Sequence, residues 1–479
     1  MRLVNLSELL VGAGTLTWWR LPDTAHPSRT VPSDAPPAHN QDLRLWQAAG
    51  GRDSDHWPRR WSLGAVDLPG PADVETLERA LTEFVRRHDT LRSVFVPTAP
   101  AGSSDDTGGG DGDDAAPPPL GVQRRLLPAA DATLVSGDLG RFTDGNAALE
   151  ALVRLADATT NPWGWPPCFF ASLTGEERTT VFMGADLVNA DLHSFGVAAA
   201  EIHELYTAHA AGRPPRLDTP GSHVDLARAE RARDATPCDA ALRYWEDFAH
   251  AAGGRLPTFP LDLGVPEDAD VPLTRENLPL LDAAETAALE SWCWENGGMF
   301  LSALLAAAGL TVADLAGARS FHTIVPVQTR PDSRAPAVGW FVTGVPIGFP
   351  VPPGAGMSAV VRSAQTAFLR ARRHLDVPIE RVLRALPPHI EQGGASWFSY
   401  SDFRGIPAAD STVLHTTRVA SNDRRGGSGD TWITRTDGGL TLHARFPEVP
   451  TARRAVRAYA DGIAARLRAV AEPAAVAAD

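Results

Sequence analysis

An α/β fold built from two lobes is what this sequence predicts, and three observations predict it. The chain has 479 residues, which by ordinary domain size makes two to three domains or one large bilobal unit. Helical and strand-like patterns are interleaved through both halves instead of segregating. Near the middle runs an extended, proline-bearing connector, Leu256-Pro257-Thr258-Phe259-Pro260-Leu261. The expected lobes are therefore 1–255 and 256–479.

Composition narrows the function. Hydrophobic residues make up 43% and charged residues 21%, the balance of an ordinary globular chain, so disorder of the whole is excluded. A formal net charge of −14 argues against nucleic acid as the main partner. It also sets an unfavourable overall field for an acidic carrier protein, which a local arginine patch could still receive. Cys168, Cys238 and Cys293 show no paired spacing and read as reduced core thiols, with neither a zinc site nor a disulfide framework expected. No apolar run reaches the ~20 residues of a membrane span. Leu9-Leu10-Val11 is too short for a secretory signal and soon gives way to the alternating Thr15-Leu16-Thr17-Trp18-Trp19. The expectation is a cytoplasmic protein without a membrane partner or a bound metal.

Taken in order, residues 21–40 are rich in Pro, Ser, Asp and His and read as an irregular loop. Asp73 to His88 carries one apolar stripe (Val74, Leu77, Leu81, Phe84, Val85) and reads as a helix, and Leu91 to Val96 alternates as a strand. Residues 98–119 are a low-complexity surface insertion; no strand-to-helix context makes its glycines a phosphate loop. Ala147 to Thr159 is helical, Pro162-Trp163-Gly164-Trp165-Pro166-Pro167 is a rigid turn, and strands follow around Phe169–Ser172 and Thr179–Met183. A long helix is expected from Ser194 to about Ala211, with Ser194 as its cap, then helices near 222–234 and 238–252. In the second half, helices are expected at Ala283–Asn296, Met299–Leu315, Met357–His374, Pro378–Leu386 and Ala452–Val470. Strands are expected at Phe321–Val327, Phe341–Phe349, 395–403, 412–420, 431–436 and 439–445.

The stretch with most chemical information is Phe182-Met-Gly-Ala-Asp186-Leu-Val-Asn189-Ala-Asp191-Leu-His193-Ser194, an apolar strand feeding a polar loop and then a helix. With it go Arg87-His88-Asp89-Thr90-Leu91-Arg92-Ser93-Val94-Phe95, Tyr244-Trp245, Val325-Pro326-Val327-Gln328-Thr329-Arg330-Pro331, Val338-Gly339-Trp340-Phe341-Val342-Thr343-Gly344-Val345-Pro346-Ile347 and Ser399-Tyr400-Ser401-Asp402-Phe403-Arg404. In order and spacing these segments resemble the condensation-domain superfamily, with the flavour of its stand-alone members, close to the polyketide-associated acyltransferases. The resemblance runs over nearly the whole chain. It implies two chloramphenicol-acetyltransferase-like lobes in a V-shaped pseudo-dimer with a central tunnel. It also implies transfer of an acyl group from a thioester, on coenzyme A or on carrier-protein phosphopantetheine, to an amine or alcohol. The expected partners are a small-molecule acceptor and, where the donor is carried, a carrier protein or peptide synthetase. No cofactor is expected to be held permanently.

The family signature is His-His-x-x-x-Asp-Gly, often beginning with Asp in the acyltransferase branch, and its second His is the general base or holds the tetrahedral intermediate. Aligned on Asp191, this chain has Asp186 in the acyltransferase form, Leu187 in place of that His and Leu192 in place of the Gly. Leucine accepts no proton and donates no hydrogen bond. Three residues are candidates for the missing chemistry. Asp186 is a base if burial raises its pKa, and otherwise reads as hydrogen-bonded to nearby backbone; His193 lies two residues past Asp191 at the helix start, where it also reads as a surface or capping residue directed away from the tunnel; and Ser401 comes to the tunnel by resemblance. Asn189, Ser399 and Trp340 are candidate substrate contacts, though Asn189 also reads as a turn residue, Trp340 as a wall and the serines as one face of a strand. Leu187, Asp191 and Arg330 are the structural members, the last two as an ion pair across the lobe interface. Three readings stay open: acyl transfer by atypical catalysis, a different reaction in the same tunnel (cyclisation, dehydration or rearrangement), and a non-catalytic recruitment module.

Overall fold

The computed structural model describes residues 1–9, 12–26, 28–49, 60–98, 121–330, 336–393, 395–406, 411–422 and 425–472. The insertion read at 98–119 lies outside them from residue 99 on, as do Leu10 and Val11 of the N-terminal apolar run.

In chain order the elements are β1 (Arg2–Leu3), β2 (Gly14–Arg20), β3 (Val31–Pro32), α1 (His39–Ala49), β4 (Trp61–Pro69), α2 (Val74–Arg87), β5 (Ser93–Pro97), β6 (Val122–Leu126), β7 (Val135–Phe142), α3 (Gly145–Thr159), β8 (Cys168–Thr174), β9 (Arg178–Asp186), α4 (Leu192–Ala210) and α5 (His223–Arg231). There follow α6 (Asp239–Ala251), β10 (Leu273–Leu281), α7 (Ala283–Glu295), α8 (Phe300–Ala316), β11 (Ser320–Gln328), β12 (Val342–Pro350), α9 (Met357–Ala371), α10 (Ile379–Ala385), β13 (Phe398–Asp402), α11 (Ser411–Thr416), β14 (Arg418–Ser421), β15 (Asp430–Thr436), β16 (Gly439–Pro447) and α12 (Pro450–Ala471).

The chain packs as two compact units. The first holds Met1–Thr236 and takes back two later segments, Gln328–Val342 and Gly405–Asn422; the second holds Pro237–Val327, Thr343–Arg404 and the remainder after Asn422. The division falls at Thr236, before the connector at 256–261, and the two returning segments have no counterpart in a reading that cuts the chain once. Part of the expected strand at 412–420 is the helix α11, and β14 then enters the first unit's sheet between β1 and β4.

In the first unit a seven-stranded sheet runs β1-β14-β4-β9-β8-β2-β7. Its centre is apolar on both faces: on one, Phe169, Ala171 and Phe182 join Trp61, Leu63 and the α3 residues Ala148, Leu152 and Ala156 in one core cluster, and on the other Phe170, Val181 and Met183 are buried. β9 pairs with β4 on one side and β8 on the other, and Thr179 to Asp186 are all buried. A strand covered on both faces needs an unbroken apolar run, which is why Val181-Phe182-Met183 does not alternate. α2 is amphipathic and begins at Asp73, whose carboxylate accepts from the Thr76 amide at 2.8 Å.

The second unit has a four-stranded sheet, β10-β16-β15-β13, and the pair β11-β12. The helices α7, α8, α9 and α12 pack with these strands around Leu304, Leu305, Phe321, Phe349, Phe446 and Tyr459. A smaller cluster joins α6 and α10 through Trp245, Phe248, Ile379 and Val382. Cys168 and Cys293 are buried and Cys238 is half-buried. Among the described residues no single helix is long and apolar enough to cross a membrane.

Candidate functional site

β9 ends at Asp186, where the chain turns. The Asn189 amide donates to the Asp186 carbonyl at 2.9 Å, and α4 starts at Leu192. Two ion pairs brace this turn, one at each end.

At the strand end Asp186 is fully buried, and Arg44 of α1 holds it with both arms: Nε donates to Oδ1 at 3.1 Å and Nη2 to Oδ2 at 2.7 Å. The Val188 amide adds a third donor to Oδ1 at 2.9 Å. Bidentate, charge-assisted bonds of this kind fix the plane of the carboxylate. Asp186 therefore anchors the loop to α1, and its oxygens are engaged within the first unit.

At the helix end stands Asp191, buried, which is the N-cap of α4: its Oδ1 accepts from the Ser194 amide at 2.9 Å. The cap is thus Asp191, and the expected cap Ser194 is the third helical residue; its hydroxyl donates to Asp191 Oδ1 at 2.7 Å. The expected partner is in place: Arg330 Nη1 donates to Asp191 Oδ2 at 2.9 Å and Nη2 to Oδ1 at 2.8 Å. Burial alone would push this carboxyl up, but the charge and hydrogen bonds of Arg330 outweigh it and hold Asp191 below the usual carboxylate range. Arg330 also lies 4.5 Å over the Phe341 ring and donates to the Ala337 carbonyl at 3.0 Å. Because Gln328–Val342 packs with the first unit, the pair lies inside one unit.

Gly339 makes this contact close. Its carbonyl accepts from the Asp191 amide at 3.0 Å and from the Ser194 hydroxyl at 2.9 Å. Its φ is +156°, and a Cβ there would stand 2.4 Å from the His223 ring. Only glycine lets the 337–341 backbone approach α4 and His223 together. His223 is itself buried and coupled to this region: its Nε2 lies 3.1 Å from the Trp340 carbonyl, and its ring meets Phe341 edge-on. Burial, with a contribution from Arg124, lowers its pKa to about 4.

Leu187, where the resemblance places a His, is half-buried, and its amide donates to the Arg60 carbonyl at 3.2 Å. Leu192, in place of the family glycine, is the first residue of α4 and takes helical backbone without a positive φ, so this loss costs the turn nothing. Asn189 is buried and spends its side chain on the scaffold: Nδ2 donates to the Pro167 carbonyl at 3.2 Å, and Oδ1 accepts from the Thr90 hydroxyl at 3.3 Å. Trp340 is half-buried, and its carbonyl accepts from Asn40 Nδ2 at 2.9 Å.

His193 is the second residue of α4, and, like His223 with its Nδ1, it has one buried ring nitrogen without a hydrogen-bond partner among the described residues. Its side chain is half-buried, while Nε2 is shut off from solvent with no hydrogen-bond partner among the described residues. Burial, reinforced by the nearby charge of Arg330 and opposed by Asp191, pulls its pKa down to about 4. At neutral pH it is an uncharged imidazole whose buried nitrogen has no partner among the described residues.

Ser399 and Ser401 lie on β13, the edge strand of the second unit's sheet, which pairs in parallel with β15. Phe398 and Tyr400 point into the core, where the Tyr400 ring lies 5.6 Å from Phe300, so alternation puts both serines on the other face, half-buried. The structure brings Asp191, Arg330, His193 and the Trp340 backbone together and ties Asp186 and Asn189 to the same loop. The two serines belong to the other unit.

Several contacts of this region are absent from the sequence reading. That of Arg44 with Asp186 is one. Another set is His88, Glu201 and Arg87, where the buried Glu201 on α4 accepts from Arg87 at 2.9 Å and lies 3.0 Å from His88 Nε2. Asp89 receives the Ser222 hydroxyl at 2.5 Å and the His223 and Val224 amides, both at 3.2 Å, at the start of α5. The Arg87-His88-Asp89 run is visible in the sequence; its partners come from α4 and α5, more than a hundred residues on. Among the described residues no cluster of three or more His, Cys, Asp or Glu is placed to hold a metal. Burial pushes the Cys168 thiol up to about 12, which makes it inert as a nucleophile.

The chain is similar to several known proteins. Residues 167–400 match the condensation-domain family. The chain is 28% identical to Acyltransferase PapA3 of Mycobacterium tuberculosis, over 98% of its own length and 96% of that protein. It is 28% identical to Trehalose-2-sulfate acyltransferase PapA2 of Mycobacterium bovis, over 95% of this chain and 94% of that one. Among solved structures, the PapA2 acyl transferase superposes with a TM-score of 0.81 at 24% identity, covering 99% of this chain and 100% of that one. The first condensation domain of the calcium-dependent antibiotic synthetase superposes with a TM-score of 0.66 at 18% identity, over 93% and 98%.

Proposed function

Since the chain belongs to the condensation-domain superfamily, we propose that it is a condensation-like acyltransferase in which His193 supplies the base that Leu187 cannot. Its donor is an acyl thioester of coenzyme A or of phosphopantetheine, and its acceptor is the hydroxyl or amine of a small molecule. The near-full-length likeness to acyltransferases supports the reaction class. The observation that carries the residue assignment is the buried, unpartnered Nε2 of His193 on the helix that Asp191 and Arg330 hold in place.

The chemistry is a simple displacement. Nε2 accepts the proton of the acceptor hydroxyl as its oxygen attacks the thioester carbonyl. The tetrahedral intermediate then collapses, the carbon–sulfur bond breaks, and the imidazolium returns the proton to the departing thiolate. The products are an ester and a free thiol. An imidazole with a pKa near 4 is a weak base. Holding the two reactants in line must therefore lower most of the barrier, and orientation alone can supply about 7–11 kcal/mol. Asp186 and Asp191 serve as anchors of the loop and helix.

A second reading, a non-catalytic recruitment module, is favoured by one specific fact: Leu187 lies where a base belongs, and the neighbouring carboxylate is closed by Arg44. Acyl-coenzyme A thioesters of short and long chains, offered with alcohol and sugar acceptors, separate the two through release of free thiol. Acceptor-dependent release by the wild type, reduced at least tenfold in His193→Ala, supports transfer. No release by the wild type, with release gained by Leu187→His, supports recruitment.

A further inference from the structure

The second unit contains an open cleft of about 540 Å³ that no step of the proposed transfer uses. Two helices wall it over the end of the β11-β12 pair. From α9 come Arg362, Thr366 and Arg370, spaced four residues apart on one helical face, with Ser363 at its edge, three residues before Thr366. From α6 come Tyr244, Asp247 and Phe248. The floor is His322 and Phe349. The Phe248 and His322 rings lie 5.7 Å apart, and Gly348 lets His322 lie flat there, since a Cβ would meet that ring at 2.7 Å. Tyr244 is fixed from behind by the His374 ring, stacked at 4.8 Å.

Two features set the chemistry of what this cleft would bind. The first is charge. Arg362 and Arg370 are exposed and have no carboxylate partner among the described residues, although the chain carries a net charge of −14. Asp247 lines the facing wall without closing on either of them. Unpaired guanidinia next to hydroxyls are the usual receivers of phosphate, sulfonate and carboxylate groups. The second is shape. Aromatic side chains line the floor and one wall, and the volume falls within the ~300–1,000 Å³ of small-molecule sites. The rise of a helix puts the two arginines ~12 Å apart along α9, with Ser363 and Thr366 between them.

We propose that this cleft binds an amphipathic anion, its anionic group on Arg362 and Arg370 and its flat or aliphatic body against Phe248, His322 and Phe349. The site lies wholly within the second unit, so it stands whether or not His193 is the base.

Naphthalene-2-sulfonate is a suitable probe, titrated calorimetrically into the full chain beside naphthalene-2-methanol, its neutral counterpart, with inorganic phosphate as competitor. The sulfonate should bind at least tenfold more tightly than the alcohol and be displaced by phosphate. The Arg362→Gln/Arg370→Gln double variant should weaken it at least tenfold, and Thr366→Trp, a surface change that fills the cleft, should do the same. Circular dichroism establishes that both variants are folded. Equal affinity for sulfonate and alcohol, unchanged affinity in either folded variant, or no binding at millimolar probe would each overturn the proposal.

Discussion

Asp186 and Arg44 form a two-pronged ion pair with both side chains shut off from solvent, 2.7 Å apart at the closest contact. It joins the last residue of a central strand to a helix more than a hundred residues earlier. A buried pair of this kind is costly to break, because removing one partner leaves the other charged and uncompensated; the usual loss is about 3–5 kcal/mol. Asp186→Asn and Arg44→Met should each lower the free energy of unfolding in denaturant by about that amount, and the double change to Leu and Met should cost less than either single change. Turnover per folded molecule should persist in Asp186→Asn. Loss of turnover with full stability would make Asp186 a base instead of an anchor.

Asp191 does two jobs, and two substitutions separate them. Asn still caps a helix but carries no charge, so Asp191→Asn tests the pairing with Arg330 and should cost about 3 kcal/mol. Asp191→Ala also removes the cap and should cost roughly 1 kcal/mol more. Equal losses in the two unfolding curves would mean that the cap adds nothing.

The acid side of the stability profile has a readable contributor in His443. Its Nδ1 lies 2.7 Å from Asn277 Oδ1, and its Nε2 lies 2.7 Å from the Thr434 hydroxyl. Burial first, and then the positive charge of Arg275, pull its pKa down to about 3. In the unfolded chain an ordinary imidazole takes up a proton below about pH 6.5. The folded residue stays neutral there, so the unfolded state binds the extra proton and stability falls as pH drops from about 6.5 toward 3. His443→Gln should flatten the slope of unfolding free energy in that window by about one proton, ~1.4 kcal/mol per pH unit, and leave it unchanged above pH 7.5. An unaltered slope between pH 6 and 4 would contradict this assignment.

These residues also show where sequence reasoning reached and where it stopped. The strand at 179–183 and the long helix after the loop are legible because a strand covered on both faces must be continuously apolar, and because the second apolar run, buried on all sides from Ser194 to Ile202, is too long for a strand. Asp191 and Arg330 are legible as a pair through the family resemblance. Arg44 is not, and the reason is physical: α1 buries His39, Asn40, Gln41, Asp42 and Arg44 beside only Leu45 and Ala48, so its inward face is mostly polar and hydrogen-bonded and its apolar pattern is weak. Gln41 Nε2 donates to the Val188 carbonyl at 2.8 Å and Oε1 accepts from the buried Arg124 at 2.7 Å, which is how such a face is satisfied. β7 and β10 go unread for a related reason. They are edge strands with largely exposed or half-exposed side chains, Val135-Ser-Gly-Asp-Leu-Gly-Arg-Phe142 and Leu273-Thr-Arg-Glu-Asn-Leu-Pro-Leu-Leu281, and backbone pairing rather than apolar alternation holds them. The return of β14 to the first unit's sheet depends on contacts across more than three hundred residues, which local pattern does not encode.

The assignment of His193 is most directly tested by acceptor-dependent thiol release measured from pH 8 down to 5 for the wild type and for His193→Ala. With an imidazole whose pKa lies near 4, the wild-type rate should stay nearly level to pH 5, whereas a base of ordinary imidazole strength would lose more than tenfold. His193→Ala should be at least tenfold slower throughout while its circular dichroism is unchanged. A folded His193→Ala protein that turns over at the wild-type rate would contradict the assignment outright.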